Sequence, residues 1–174
     1  MSNENEPRAA GQRSQGDRVL LFIASLGYLG FVPVASGTVA VAVVGVPLHL
    51  LLVSHLGLAW PWYALFCAGL TLFAIWIAGH GDRILKEKDS SKSVIDEIPG
   101  YLIALIGLPV TWQIVAAAFF LERAIDIAKV PPANWIERRV PGGWGVVLDD
   151  VVAGLYTLGL LHVGVRVLPA WFGV

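Results

Sequence analysis

From Val19 to Gly81 the chain carries no Asp, Glu, Lys or Arg, and after Asp150 it carries only Arg166. A water-soluble helix keeps one polar face, so uncharged stretches of this length must be solvated by something other than water. A mean hydropathy of +0.70, with 56% hydrophobic and 14% charged residues, points the same way. The fold class expected is all-α: a multi-pass integral membrane protein of 174 residues, a single domain by length. The polar residues 1–18, with Arg8, Arg13 and Arg18, are expected to form a disordered tail. The membrane-embedded domain then runs from 19 to 174. The tail is not read as a secretory leader, because hydrophobic segments continue downstream. A net charge of -1 argues against nucleic acid as a partner. The single Cys67 excludes an internal disulfide and a cysteine-based zinc site.

A helix needs about 20 residues to cross the hydrocarbon core. Val19–Val32 falls short and reads as an interfacial helix ending at Pro33, whereas 35–56 and 61–80 are long enough to span. The run 98–121 is interrupted by Gly107-Leu-Pro109, where proline removes a backbone donor and restrains its predecessor. If this run dips in and returns as a short re-entrant helical hairpin, eleven of the twelve Lys and Arg residues share one side, which the positive-inside rule makes cytoplasmic. A kinked single span is the plainer alternative. Residues 151–172 form the last expected span, with Arg166 and Trp171 near the far interface.

Six carboxylates, Asp89, Asp96, Glu97, Asp126, Asp149 and Asp150, stand at the edges of these apolar runs. Carboxylates beside a bilayer are costly unless paired or coordinated, so an ion or a chemical role is expected of them. Ser93 and Asp96 have the spacing of a helix cap, which leaves the adjacent Glu97 unexplained; a divalent cation would offset the repulsion of the pair. Arg123, Asp126 and Lys129 recur at three-residue spacing. On a helix they form either a surface ladder of ion pairs or an ion ligand flanked by two phosphate-binding cations. The segment Pro141-Gly-Gly-Trp-Gly145 joins a glycine loop able to approach an anion to Asp149 and Asp150, which read equally as caps. Arg138 and Arg139 read as topology determinants or headgroup contacts. Ser36, in Pro33-Val-Ala-Ser-Gly-Thr38, reads as a helix cap or a phosphate hydrogen-bond donor. His49, His55 and His162 lie in or beyond the membrane, and His80 reads as structural.

Taken in order, four separated motifs resemble the phosphatidylglycerophosphatase A family. They are Ser36-Gly37-Thr38; Asp89 with Val94-Ile-Asp96-Glu97-x-x-Gly100; Arg123-x-x-Asp126-x-x-Lys129; and Arg138-Arg139-x-x-Gly142-Gly143-x-Gly145 followed by Asp149-Asp150-x-x-Ala153-Gly154. The resemblance covers about residues 33 to 155. It implies an all-helical, Mg2+-dependent lipid phosphatase of the bacterial inner membrane that converts phosphatidylglycerol phosphate to phosphatidylglycerol. Four positions depart from the family pattern: Ala40-Val41 stand where a Gly-Ser pair is usual, Glu122 where a phenylalanine is usual, and Val130 where a proline is usual.

On this reading, Mg2+ is held at the cytoplasmic interface by Asp89, Asp96, Glu97, Asp126, Asp149 and Asp150. Water made more acidic by the ion attacks phosphorus while one carboxylate serves as base. Lys129 and Arg123 neutralise charge developing on the phosphoryl oxygens; Ser36, Thr38, Arg138 and Arg139 complete the substrate contacts. The acyl chains are expected to stay in the bilayer beside the hairpin. An aspartyl-phosphate route is less attractive because no Asp-x-Asp pair occurs. An ion or proton transporter is the rival from another class, and a structural membrane anchor is the third reading; the acids cluster at one face rather than within the runs, which disfavours transport.

Overall fold

The computed structural model describes residues 14–85 and 93–174, and within them all regular structure is helical. Helix α1 spans Gln15–Ala24, α2 spans Ser36–His55, α3 Trp60–Leu85, α4 Glu97–Ile103, α5 Trp112–Ala128, α6 Ala133–Arg139 and α7 Gly143–Val167. Three of these, α2, α3 up to Gly81, and α7, are long and apolar enough to cross a membrane.

The N-terminal helix corrects the expectation at both ends. It begins within the stretch assigned to the tail, because Ser14 and Asp17 form a reciprocal capping box. It stops at Ala24 rather than Pro33: the Ser25 hydroxyl accepts from the Tyr28 N–H, and Leu26, Gly27 and Tyr28 all take positive φ. Leu21 and Ala24 are its buried residues, and Ala24 clusters with Ala74, Ile75, Ile77 and Ala78 of α3.

Helix α2 widens into π-type turns at Val41–Gly45 and Leu51–His55, on either side of Pro47. Proline's ring crowds the carbonyl four residues back, and a widened turn relieves that crowding without ending the helix.

The interrupted run folds back on itself. Helix α4 is almost wholly buried, the chain turns at Gly107 (φ +72°), and α5 returns so that Arg123 pairs with Glu97. The hydroxyl of Tyr101 donates to the Val115 carbonyl at 3.4 Å between the two arms. In the structure the run is thus two helices joined by a turn. Broken backbone in an apolar environment needs partners for its carbonyls. Here Tyr63 donates to Leu102 at 3.2 Å, with His49 Nδ1 on the Tyr63 hydroxyl at 2.9 Å, and His162 Nε2 donates to Ile106 at 3.0 Å. The same turn forms the centre of the core, where Leu102, Leu105, Tyr101, Ile114 and Leu161 are buried together.

The last long helix corrects a boundary. It starts at Gly143, not Val151, and ends at Val167; Pro169–Phe172 is a separate 3-10 turn whose Phe172 carbonyl accepts from the Thr111 hydroxyl at 2.8 Å. Proline at 169 cannot continue the helix. Gly143 and Gly145 are helical and do not belong to a loop. A Cβ on Gly143 would lie 2.2 Å from the Ile75 carbonyl oxygen, and one on Gly145 would lie 2.3 Å from that of Val140. They permit backbone contact, as Gly154 does against Gly100 (2.2 Å to its carbonyl oxygen). This close approach of α7 to α3 and α4 brings Asp149 and Asp150 inward.

A candidate phosphoryl-transfer site

Each element delivers its charges to the same end of the bundle. Glu97 is the first residue of α4, Glu122, Arg123 and Asp126 lie on the last turns of α5, and Asp149 and Asp150 lie in the second turn of α7. At the centre is the Arg123 guanidinium. It donates through Nε and Nη2 to the two carboxylate oxygens of Glu122, both at 2.7 Å. It also pairs with Glu97, with Asp126 at 3.5 Å and with Asp150 at 3.5 Å. Four carboxylates thus face one guanidinium, an excess of three negative charges when all are ionised. Asp96, buried beside them, lies within electrostatic reach of Asp150.

Burial raises the carboxyl of Glu97 to about 7, and Asp126 and Glu122 add repulsion that Arg123 only partly offsets. Burial likewise raises Glu122 above its ordinary range, against its hydrogen bonds from Arg123. Oxygens of Glu97, Asp126 and Asp150 lie within 4.8 Å of one another, a set of hard donors that suits a divalent cation. The fit is sharpened by Gly37, where a Cβ would lie 1.8 Å from Glu97 Oε1. Only glycine leaves room for that carboxylate.

The cluster opens into a cleft of about 360 Å³ lined by Ser36, Gly37, Thr38, Glu97, Arg123 and Asp126, among others. The first turn of α2 therefore stands opposite the guanidinium. Ser36 is not the cap of this helix: Ala35 occupies the cap position with left-handed backbone (φ +51°), and Ser36 is the first helical residue. Nor does Ser93 cap α4, since Asp96 holds that position without a side-chain cap bond.

A second cluster lies alongside. Lys129 is not on the face shared by Arg123 and Asp126. The helix ends at Ala128, Lys129 takes φ +46°, and its Nζ meets Glu137 at 2.6 Å and Asp149 at 3.5 Å. The following Val130-Pro131-Pro132 cannot extend the helix, so the three-residue spacing does not carry through. Asp149 and Asp150 are joined by the Asp150 N–H donating to Asp149 Oδ1 at 3.1 Å, and they serve the two clusters separately. Both are within the helix rather than at a cap. Arg138 and Arg139 are exposed at the end of α6 and enter no ion pair among the described residues. Asp89 lies outside the described residues. Two participants, Glu122 and Glu137, are not among the residues read from the sequence. Glu122 signals itself only as a departure from the family pattern, and Glu137 only by its place in a polar stretch.

The family model described as Phosphatidylglycerophosphatase A matches residues 22–165, most of the chain. The chain belongs to this family. Phosphatidylglycerophosphatase A of Escherichia coli (strain K12) is 31% identical over 134 residues, 76% of each protein. The Haemophilus influenzae protein of the same name is 30% identical over 130 residues, 74% of this chain and 78% of the relative. A Bacteroides thetaiotaomicron protein, provisionally named a phosphatidylinositol-3-phosphatase, is 33% identical over 141 residues, 79% of this chain and 86% of the relative. No solved structure matches the chain. Of the motifs that carry the resemblance, Ser36-Gly37-Thr38, Glu97, Arg123 and Asp126 line the cleft, and Asp150 pairs with Arg123.

Proposed function

We propose that the chain hydrolyses the terminal phosphomonoester of phosphatidylglycerol phosphate, giving phosphatidylglycerol and phosphate in phospholipid biosynthesis, with Mg2+ as cofactor. The observation that carries this reading is the convergence of Glu97, Asp126 and Asp150 on Arg123 at the mouth of a cleft facing Ser36–Thr38. Family membership supports the reaction class. A divalent ion held by Glu97, Asp126 and Asp150, with Asp96 nearby, supplies polarisation and charge neutralisation for phosphoryl oxygens.

The chain's own groups do the rest. Hydroxyls of Ser36 and Thr38, with the first N–H groups of α2, donate to phosphate oxygens at the positive end of the helix. Arg123 turns one nitrogen to the cleft while Glu122 grips the other two, so its orientation is fixed before substrate arrives. A carboxylate of the cluster takes the proton of the attacking water as the phosphorus–ester bond breaks, and the departing alkoxide takes a proton from solvent water. Lys129, held by Glu137 and Asp149, adds positive charge at the rim. The site lies at the cytoplasmic face of a bacterial inner membrane, with the α4–α5 hairpin re-entrant, because that arrangement keeps nearly all Lys and Arg on one side.

Phosphate release by detergent-purified protein tests the reading. Turnover of phosphatidylglycerol phosphate is expected with Mg2+ and not with excess chelator, and Asp126→Asn and Asp150→Asn should each lower it by orders of magnitude while the protein purifies normally. Near wild-type rates in these variants would rule out the site. The Bacteroides relative favours a second reading, a phosphoinositide headgroup, which the same assay decides by comparing phosphatidylinositol 3-phosphate. Faster turnover of that lipid would reassign the headgroup and leave the chemistry in place.

A further inference from the structure

Below the polar cleft, the same two helices frame an apolar groove of about 550 Å³. Ala42, Val46 and Leu50 of α2 line one wall, and Ala116, Phe119 and Phe120 of α5 belong to the other. The register is continuous with the polar end. Thr38, Ala42, Val46 and Leu50 follow at four-residue intervals, and Phe119 and Phe120 lie one turn from Arg123. The Tyr101 ring keeps the helices apart. It meets the Gly45 position at 3.0 Å from where a Cβ would be, and it packs edge-on against Phe119. Phe120 and Leu50 are exposed, so the groove opens sideways, in the direction a bilayer would occupy.

We infer that this groove holds an acyl chain of the lipid whose phosphate enters the cleft, so that one helix pair grips both halves of a diacyl phosphomonoester. The assignment rests on the phosphatase reading above and names where its substrate's chain lies, in place of free lipid beside the hairpin. Its dimensions agree: the twelve residues from Thr38 to Leu50 would rise about 18 Å as continuous α-helix, and less through the wide turn at Val41–Gly45. One leaflet of hydrocarbon is about 15 Å deep. A second apolar groove of about 580 Å³ flanks α5 on its other side, against Trp171 and Phe172. It shares Trp112, Ala116 and Phe120 with the first groove but has no residue of α2, the helix whose first turn lines the polar cleft, and it is not the one assigned.

Two arms test this. In the kinetic arm, Ala42→Phe and Val46→Phe fill the groove from its α2 wall, which the second groove lacks. The ratio of kcat/KM on a long-chain diacyl lipid phosphate to that on its water-soluble, chain-free headgroup phosphate is expected to fall about tenfold or more. An unchanged ratio in folded variants overturns the assignment. In the labelling arm, wild-type protein in phosphatidylcholine vesicles receives a diacyl lipid phosphate bearing a mid-chain diazirine. Label is expected on residues 42–50 and 110–120, and it is competed by unlabelled lipid phosphate and not by the same lipid lacking the phosphate. Label spread equally over the outer faces of α3 and α7, or photo-crosslinks that join two protein copies through this groove, overturns it. Absence of turnover on every phosphate ester sinks the phosphatase reading alone, since the labelling still decides the groove.

Discussion

Glu122 is fully buried and holds two nitrogens of Arg123, at a position where the family usually carries phenylalanine. A buried hydrogen bond to a charged group contributes about 1.5–3 kcal/mol, and Glu122 accepts two from Arg123. Glu122→Ala is therefore expected to lose stability on that scale in denaturant titrations in detergent, and Glu122→Gln, which retains volume and one acceptor, to lose clearly less. Equal stability of Glu122→Ala and wild type would mean that the other three carboxylates suffice for Arg123. Gly37 acts differently. A Cβ there meets only the flexible end of Glu97, so Gly37→Ala should shift that carboxylate at little cost to the fold. Misplacement by an ångström can cost about 100-fold in rate, so a 10- to 100-fold loss of phosphatase activity with a nearly unchanged melting temperature is expected. At this scale the acids were legible because charge in so apolar a chain is conspicuous. Which of them meet was not: the spacing of Arg123, Asp126 and Lys129 suggested one face, and only the left-handed turn at Lys129 sends its ammonium to Glu137 and Asp149 instead.

Among the elements, α2, α3 and the break at Gly107 could be read from hydropathy and proline chemistry, whereas both ends of α7 could not. Gly142-Gly143-x-Gly145 looks like a loop because glycine weakens helices, yet only Gly142 needs glycine for its own positive φ, and Gly143 and Gly145 answer the approach of neighbouring backbone, a tertiary demand that no local propensity records. The same distinction separates two other glycines of α7. Gly154→Ala would press a methyl into the Gly100 carbonyl and should destabilise by about 1–3 kcal/mol, because neither backbone can yield. Gly159 has nothing within 4 Å of its Cβ position, so Gly159→Ala should be neutral or gain about 0.5–1 kcal/mol from helix propensity. Paired melting curves of the two variants check this, and similar effects of both would show that α7 is not held by the Gly100–Gly154 contact.

For the molecule as a whole, the folded-back α4–α5 unit puts the acidic clusters of three chain segments at one end. With Cys67 replaced by serine, Asn134→Cys is expected to react with an impermeant thiol reagent only from the cytoplasmic side; labelling from the periplasm alone would reverse the orientation and place the site outside. The central guanidinium also bears on how such a protein is made. Arg123 is a counterion built into the chain, present from synthesis, so the carboxylates can assemble around it without waiting for a metal to be captured. Biogenesis should then be indifferent to the divalent-ion supply, unlike small metal-nucleated domains whose folding energy is the binding energy of the ion. Chelation should abolish turnover yet leave the melting temperature within a few degrees of the untreated protein, and adding Mg2+ back should restore the rate without any refolding step. A cell starved of magnesium would thus carry a stock of folded, idle enzyme ready to resume when the ion returns.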